Sequence, residues 1–198
     1  MIKPDVRHAK TLEEFYSELT RLQAGAHGGE YVEHHNALVK CAKECEVIKE
    51  IGVCQGATFA ALLMQHPKKL IGMDNYPKHY YNYQKLFDDY AKEHNVDLEF
   101  IEGDSHDPKH VHEVDMLHID SLHTPAHLIG ELRLHAPKVR KYIVFHDTAN
   151  YKTTKGLFPT IAKYITEEEQ KWRVIDHYIQ RVGYTVIERV ENRLDYKG

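Results

Sequence analysis

Two short stretches of the 198-residue chain set carboxylates beside imidazoles: Asp120-Ser121-Leu122-His123 and His146-Asp147-Thr148. Each closes an apolar run, residues 114–120 in the first case and 139–147 in the second. If these runs are neighbouring parallel strands, Asp120 and Asp147 come within about 5–10 Å of each other. Two carboxylates that close repel unless one takes a proton or a cation lies between them. An oxygen-preferring divalent ion such as Mg²⁺ suits the pair and keeps positions open for water and a substrate oxygen. A bound cation lowers the pKa of an alcohol, and His123, three residues past Asp120, is the candidate general base. The competing reading is that both aspartates cap the helices that follow, with His123 a solvated helix-start histidine.

A second constellation lies at residues 47–58, where a buried strand runs into a glycine turn and Gly56-Ala57-Thr58 opens an Ala-rich helix. Free N–H groups at a helix start, with no Cβ in the way, favour a ligand rich in hydrogen-bond acceptors. A dinucleotide fingerprint beginning at Gly52 needs glycine at position 54, where Cys54 stands. That glycine is the one that lets a pyrophosphate approach the backbone. An E-x-G-x-x-x-G pattern is met by Glu50, Gly52 and Gly56. Asp74 closes the next apolar run and has the reach to accept both hydroxyl protons of a ribose. Asp104 and Ser105 follow the third run. A tight βα turn with no ligand would use the same glycines.

The elements that must position these groups alternate. β-rich runs at 47–53, 69–74, 97–102, 114–120 and 139–147 are separated by helical stretches at 56–65, 80–94, 108–112 and 124–135. Such alternation demands crossover connections, hence a doubly wound, Rossmann-like α/β fold with a mostly parallel sheet. The runs at 172–180 and 184–190 are joined only by Arg181-Val182-Gly183, too short for a crossover, so they form an antiparallel C-terminal hairpin at the sheet edge. Ahead of the core, residues 1–45 read as a helical cap. Leu12, Phe15, Leu19 and Leu22 recur at helical spacing behind a Thr11 N-cap, Gly25 to Gly29 interrupts, and a second helix covers 31–44. The whole chain reads as a single domain, with its Rossmann-like core at 46–192.

Glu50, Gly52, Gly56, Asp74, Asp104 and Ser105, in register along this pattern, resemble the cofactor motifs of class I S-adenosylmethionine-dependent methyltransferases. The resemblance implies that these six residues cradle S-adenosylmethionine, with Asp104 and Ser105 beside the adenine. Asp120-Ser121-x-His123, Glu131-Leu132 and His146-Asp147-Thr148 resemble the cephalosporin hydroxylase and rhamnosyl O-methyltransferase branch, and more loosely the macrolide-sugar and catechol O-methyltransferases. The likeness continues through Lys155-Gly156-Leu157, Trp172-Arg173-Val174 and Gly183-Tyr184-Thr185-Val186, covering about residues 47–190. In metal-dependent relatives the acids at the positions of Asp120 and Asp147, with the next residue, hold Mg²⁺. Here that residue is Thr148, so His146 becomes the candidate third ligand, and the usual proline-glycine-glycine is replaced by Ala136-Pro137-Lys138-Val139. The resemblance implies methyl transfer to an oxygen of a small molecule, such as a sugar or polyol-like metabolite. Specificity would come from the amino-terminal helices and residues 150–155. A non-catalytic cofactor- or partner-binding module and an NAD-dependent oxidoreductase are the alternatives.

Composition narrows the partners. With 42% hydrophobic and 28% charged residues the chain is globular, and 26 Lys plus Arg against 30 Asp plus Glu leave a net charge of −4. That balance lacks the basic footprint of a nucleic-acid binder. Three cysteines cannot form a disulfide framework and fit a reducing, cytoplasmic setting. No apolar run is long enough for a membrane span and the start shows no signal-peptide core. A homo-oligomer is compatible with all of this. Cys41 and Cys45, which with His34 and His35 offer metal-ligand types, read as small buried hydrophobes. His106, His110 and His112 read as facing water. Tyr76, Tyr80, Tyr81 and Tyr83 suit either a pocket or helix packing, and Tyr31 with His34, His35 and Asn36 suits a lid over the cofactor.

Overall fold

In the computed structural model, which describes residues 5–27, 30–149, 157–168 and 171–190, seven strands form one sheet. They are β1 (Val47–Ile51), β2 (Lys69–Asp74), β3 (Asp97–Glu102), β4 (Val114–Ile119), β5 (Val139–His146), β6 (Trp172–Tyr178) and β7 (Tyr184–Arg189). Their order is β3-β2-β1-β4-β5-β7-β6. The first five pair in parallel, while β7 runs antiparallel to both β5 and β6. The doubly wound sheet with its terminal hairpin is therefore as expected. β7 is the strand that inserts beside β5, and β6 takes the edge.

The helices are α1 (Leu12–His27), α2 (Glu30–Ala42), α3 (Ala57–Leu63), α4 (Lys78–Tyr81), α5 (Gln84–Glu93), α6 (Pro125–His135) and α7 (Leu157–Glu167). Leu12, Phe15, Leu38, Phe59 and Phe87 fill one face of the sheet, and Leu128, Leu132, Ile161 and Tyr164 fill the other. Burying each such side chain is worth about 1.5–3 kcal/mol. Thr11 accepts the Glu14 N–H at 3.2 Å, as a helix cap should. α1 nevertheless continues through Gly25 to His27, since one helical glycine costs only about 1 kcal/mol. Gly28 and Gly29 lie outside the described residues. The helix expected over 80–94 is split into α4 and α5, because Tyr80 and Tyr83 turn into the aromatic layer with Phe15 and Phe100. Residues 150–156 and 191–192, counted in the specificity loop and the core, also fall outside the described set. Among the described residues no helix is long and apolar enough to cross a membrane.

Strand register fixes what meets at the carboxyl ends. Glu50 of β1 lies opposite His118 of β4, and His146 of β5 lies opposite Tyr184 of β7. Because β-residues alternate between faces, Glu50, His118 and Asp120 all project toward the α1–α3 side.

Candidate functional site

A crevice of about 340 Å³ opens beyond the carboxyl ends of β1 to β4, the place where open α/β sheets bind ligands. Gly52, Asp74, Asp104, Ser105 and Asp120 all line it. Gly52 is needed twice over. Its φ is +91°, and a Cβ there would sit 2.1 Å from the Asp120 carbonyl oxygen, so β1 and β4 approach this closely only without a side chain. Asp74 braces the turn: its Oδ2 accepts the Cys54 N–H at 2.8 Å and its Oδ1 accepts the Tyr76 N–H at 2.7 Å. Both oxygens keep a lone pair for a further donor. Asp104 Oδ1 accepts the His106 N–H at 2.9 Å.

Glu50 and Gly56 do not line this crevice. Glu50 is buried, with Oε1 3.2 Å from His118 Nδ1 and Oε2 without a hydrogen-bond partner among the described residues. Burial pushes its carboxyl above the ordinary value, against the opposing pull of His118. Gly56 has φ +94°, and a Cβ on it would meet the Phe87 ring at 2.6 Å. Its glycine character thus answers to packing as well as to any ligand.

At the neighbouring ends of β4 and β5 the expected acid pair forms a four-residue cluster. One ligand atom from each of Asp120, His146 and Asp147 lies within 4.8 Å of the others. His123 Nε2 sits between the carboxylates, 2.9 Å from Asp120 Oδ1 and 3.2 Å from Asp147 Oδ2. His146 Nδ1 faces the same pair at 3.4 and 3.1 Å. Asp147 takes a left-handed backbone, φ 60°, which carries its side chain back over the strand end. Burial works against charge on His123, but the hydrogen bond to Asp120 and the two nearby carboxylates outweigh it and raise its pKa above 6.5. The same balance holds His146 well above 6.5, and the facing imidazoles hold Asp120 well below the usual carboxylate range despite its burial. Thr148 is turned away: its hydroxyl oxygen accepts from Thr185 Oγ1 at 2.9 Å.

For several further residues it is the contacts that had no sequence signal. His34 of α2 stacks on Tyr184 at 4.8 Å and meets His146 edge-on at 5.3 Å, roofing the cluster. His35, also buried, turns instead to the Tyr16 hydroxyl at 2.8 Å and Thr58 Oγ1 at 3.3 Å, whereas the Tyr31 side chain lies outside the described residues. Glu131 of α6, also buried, accepts hydrogen bonds from Ser105 and Ser121. From the sequence, Glu131 stands only in the Glu131-Leu132 part of the family resemblance, with no partner assigned to it. Cys41 and Cys45 are buried, Cys45 donating to the Cys41 carbonyl, and burial pushes their thiols to about 11 and 12. Tyr80 and Tyr83 are core, while Tyr76 and Tyr81 are exposed. The buried Lys49 ammonium reaches the His110 carbonyl and His112 Nδ1, so part of the histidine tract faces inward.

Residues 49–148 match the family model described as a methyltransferase domain. No curated protein matches the chain. Among solved structures it is similar to the S-adenosylhomocysteine-bound Podospora anserina methyltransferase PaMTH1, with TM-score 0.61, 14% identity, and 92% and 89% of the two chains covered. It is similar to the ribosomal protein L11 methylase of Lactobacillus delbrueckii subsp. bulgaricus, with TM-score 0.59, 10% identity, and 83% and 80% covered. The mitomycin 7-O-methyltransferase MmcR gives TM-score 0.58 at 12% identity, covering 91% of this chain and 61% of its own. At these identities the likeness is one of fold.

Proposed function

This chain belongs to the methyltransferase-domain family, and from that premise we propose that it transfers a methyl group from S-adenosylmethionine to an oxygen of a small molecule. The observation that carries the reading is that Asp120 belongs to both halves of the site. It lines the crevice and also stands in the cluster with His123, His146 and Asp147. Donor and proton acceptor are thereby made neighbours.

S-adenosylmethionine, when bound, supplies an activated methyl group on a sulfonium. In this reading Asp74 accepts the ribose hydroxyls, Gly52 leaves room for the methionine end, and Asp104 and Ser105 face the base. With Nε2 donating to the two carboxylates, the other ring nitrogen of His123, Nδ1, takes the hydroxyl proton of the acceptor, and Asp120 and Asp147 stabilise the imidazolium that results. Holding the acceptor oxygen in line beside the crevice removes much of the entropic barrier. Glu50 takes no direct part, being paired with His118. Asp120, Asp147 and His146 fit a divalent cation, which when held there would lower the pKa of the acceptor hydroxyl. A nitrogen donor in the set, with the Thr148 oxygen committed to Thr185, favours Mn²⁺ or Zn²⁺ over Mg²⁺. The mitomycin enzyme supports an oxygen acceptor by its name, and the many carboxylates and imidazoles at the cluster suit a polyol-like one. The net charge of −4 speaks against a nucleic-acid acceptor.

The test is calorimetric titration with S-adenosylmethionine, S-adenosylhomocysteine and NAD⁺, followed by a transfer assay on polyol and sugar acceptors with Mn²⁺, Zn²⁺, Mg²⁺ or chelator. Binding of the first two ligands alone, with turnover lost in His123→Ala, supports the reading. Binding of NAD⁺ instead, or turnover indifferent to His123→Ala, contradicts it.

A further inference from the structure

Glu131 of α6 lies fully buried behind the loops that follow β3 and β4. Its Oε1 accepts the Ser105 hydroxyl at 2.7 Å and its Oε2 accepts the Ser121 hydroxyl at 2.8 Å. Both serines line the crevice. His127, one turn earlier, turns Nε2 to Glu131 Oε1 at 3.1 Å and to Ser105 Oγ at 3.4 Å. These three types make no nucleophile relay here, because one imidazole nitrogen faces both partners and the serine proton already goes to the carboxylate. A turn further along, His135 Nε2 contacts the Ser105 carbonyl at 2.8 Å, so α6 grips this loop by side chain and backbone together.

A serine hydroxyl has one proton and two lone pairs. With both protons committed to Glu131, Ser105 and Ser121 offer the crevice only lone pairs. The Asp104 carboxylate beside them is likewise an acceptor. Such a wall suits a heterocycle edge that donates N–H, and it opposes a carbonyl oxygen in the same place. Resting on the reading of the crevice as the S-adenosylmethionine site, we propose that Glu131 is a positioning residue that fixes the direction of the Ser105 and Ser121 hydroxyls and so selects an amino-bearing purine over its oxo counterpart. Glu131 touches neither ligand nor metal and acts through the two serines.

The experiment is calorimetric titration of wild type, Glu131→Gln and Ser121→Ala with S-adenosylhomocysteine and S-inosylhomocysteine, with thermal melts to confirm folding. Wild type should prefer the adenosyl compound by about tenfold or more, the usual scale of one mismatched buried hydrogen bond. A glutamine accepts from one serine but donates to the other, which turns that hydroxyl proton into the crevice. The preference should then fall to within about threefold in Glu131→Gln, and partway in Ser121→Ala, which leaves Glu131 in place. A purely structural role for Glu131 would weaken both ligands alike and keep the ratio. An unchanged ratio in Glu131→Gln, or equal binding of the two compounds by wild type, overturns the proposal. Should Glu131→Gln not fold, the wild-type ratio and Ser121→Ala decide. Wild type that binds neither compound removes the cofactor reading and this inference together, whereas equal binding removes the inference alone.

Discussion

Gly52→Ala perturbs the point where the crevice and the acidic cluster join, and its cost follows from the geometry. An L-residue at φ +91° carries a left-handed penalty of about 1–2 kcal/mol. The new Cβ would lie 2.1 Å from the Asp120 carbonyl oxygen and 2.5 Å from its carbon, which are backbone atoms with no rotamer to give. Relief requires moving β1 from β4, which strains packing by about 1–3 kcal/mol. It also weakens the 2.9 Å bond from the Asp120 N–H to the Ile51 carbonyl, worth about 1 kcal/mol. The total is about 3–6 kcal/mol, a large share of the roughly 5–15 kcal/mol that holds a domain together. Urea denaturation gives the number directly. S-adenosylhomocysteine affinity should fall with it, because Asp120 moves with the strand end. Gly56→Ala is the instructive companion. There the Cβ meets the Phe87 ring at 2.6 Å, so Phe87→Ala in the same chain should recover at least about 1 kcal/mol of coupling. No side-chain truncation should rescue Gly52→Ala. A loss below about 1 kcal/mol in Gly52→Ala would refute the reasoning from backbone approach.

Asp74→Asn leaves one oxygen for two backbone donors, so either Cys54 or Tyr76 faces an amide N–H. A melting experiment should show a loss of about 1–3 kcal/mol, and S-adenosylhomocysteine affinity should drop about tenfold or more. For His123 the raised pKa puts the basic form at higher pH. The rate of methyl transfer should therefore climb with pH through a value above 6.5, and a pH–rate profile whose acid limb lies below 6.5 would contradict the assigned base. Lys49 acts on stability instead. Burial pushes its ammonium down from 10.5 to about 8, so between those values the unfolded chain binds more protons than the folded one. Wild-type stability should accordingly rise from pH 8 to 10.5 relative to Lys49→Met, which denaturation midpoints of both proteins across that range will show.

The carboxylate cluster was legible because strand ends are local signals. Asp120 and Asp147 each follow an apolar run, and parallel pairing does the rest. The hairpin was legible because three residues cannot make a crossover. What escaped is non-local. Glu50 satisfied a motif by spacing, yet its partner is His118, sixty-eight residues away and visible only once β1 and β4 are in register. Glu131 belonged to the Glu131-Leu132 resemblance, but its partners Ser105 and Ser121 show only once their loops close on it. Gly56 had a cofactor explanation in sequence, and the Phe87 ring against it has no sequence signature at all. His34 belonged to a suspected lid over the crevice, but the course of α2 sets it over His146 and Tyr184 instead.

The most direct measurement is diffraction from crystals soaked in S-adenosylhomocysteine. Density should run along the crevice, with the ribose hydroxyls within hydrogen-bond distance of Asp74 and the sulfur turned toward Asp120. A crevice without the compound, or the compound seated elsewhere on the sheet, would contradict this placement.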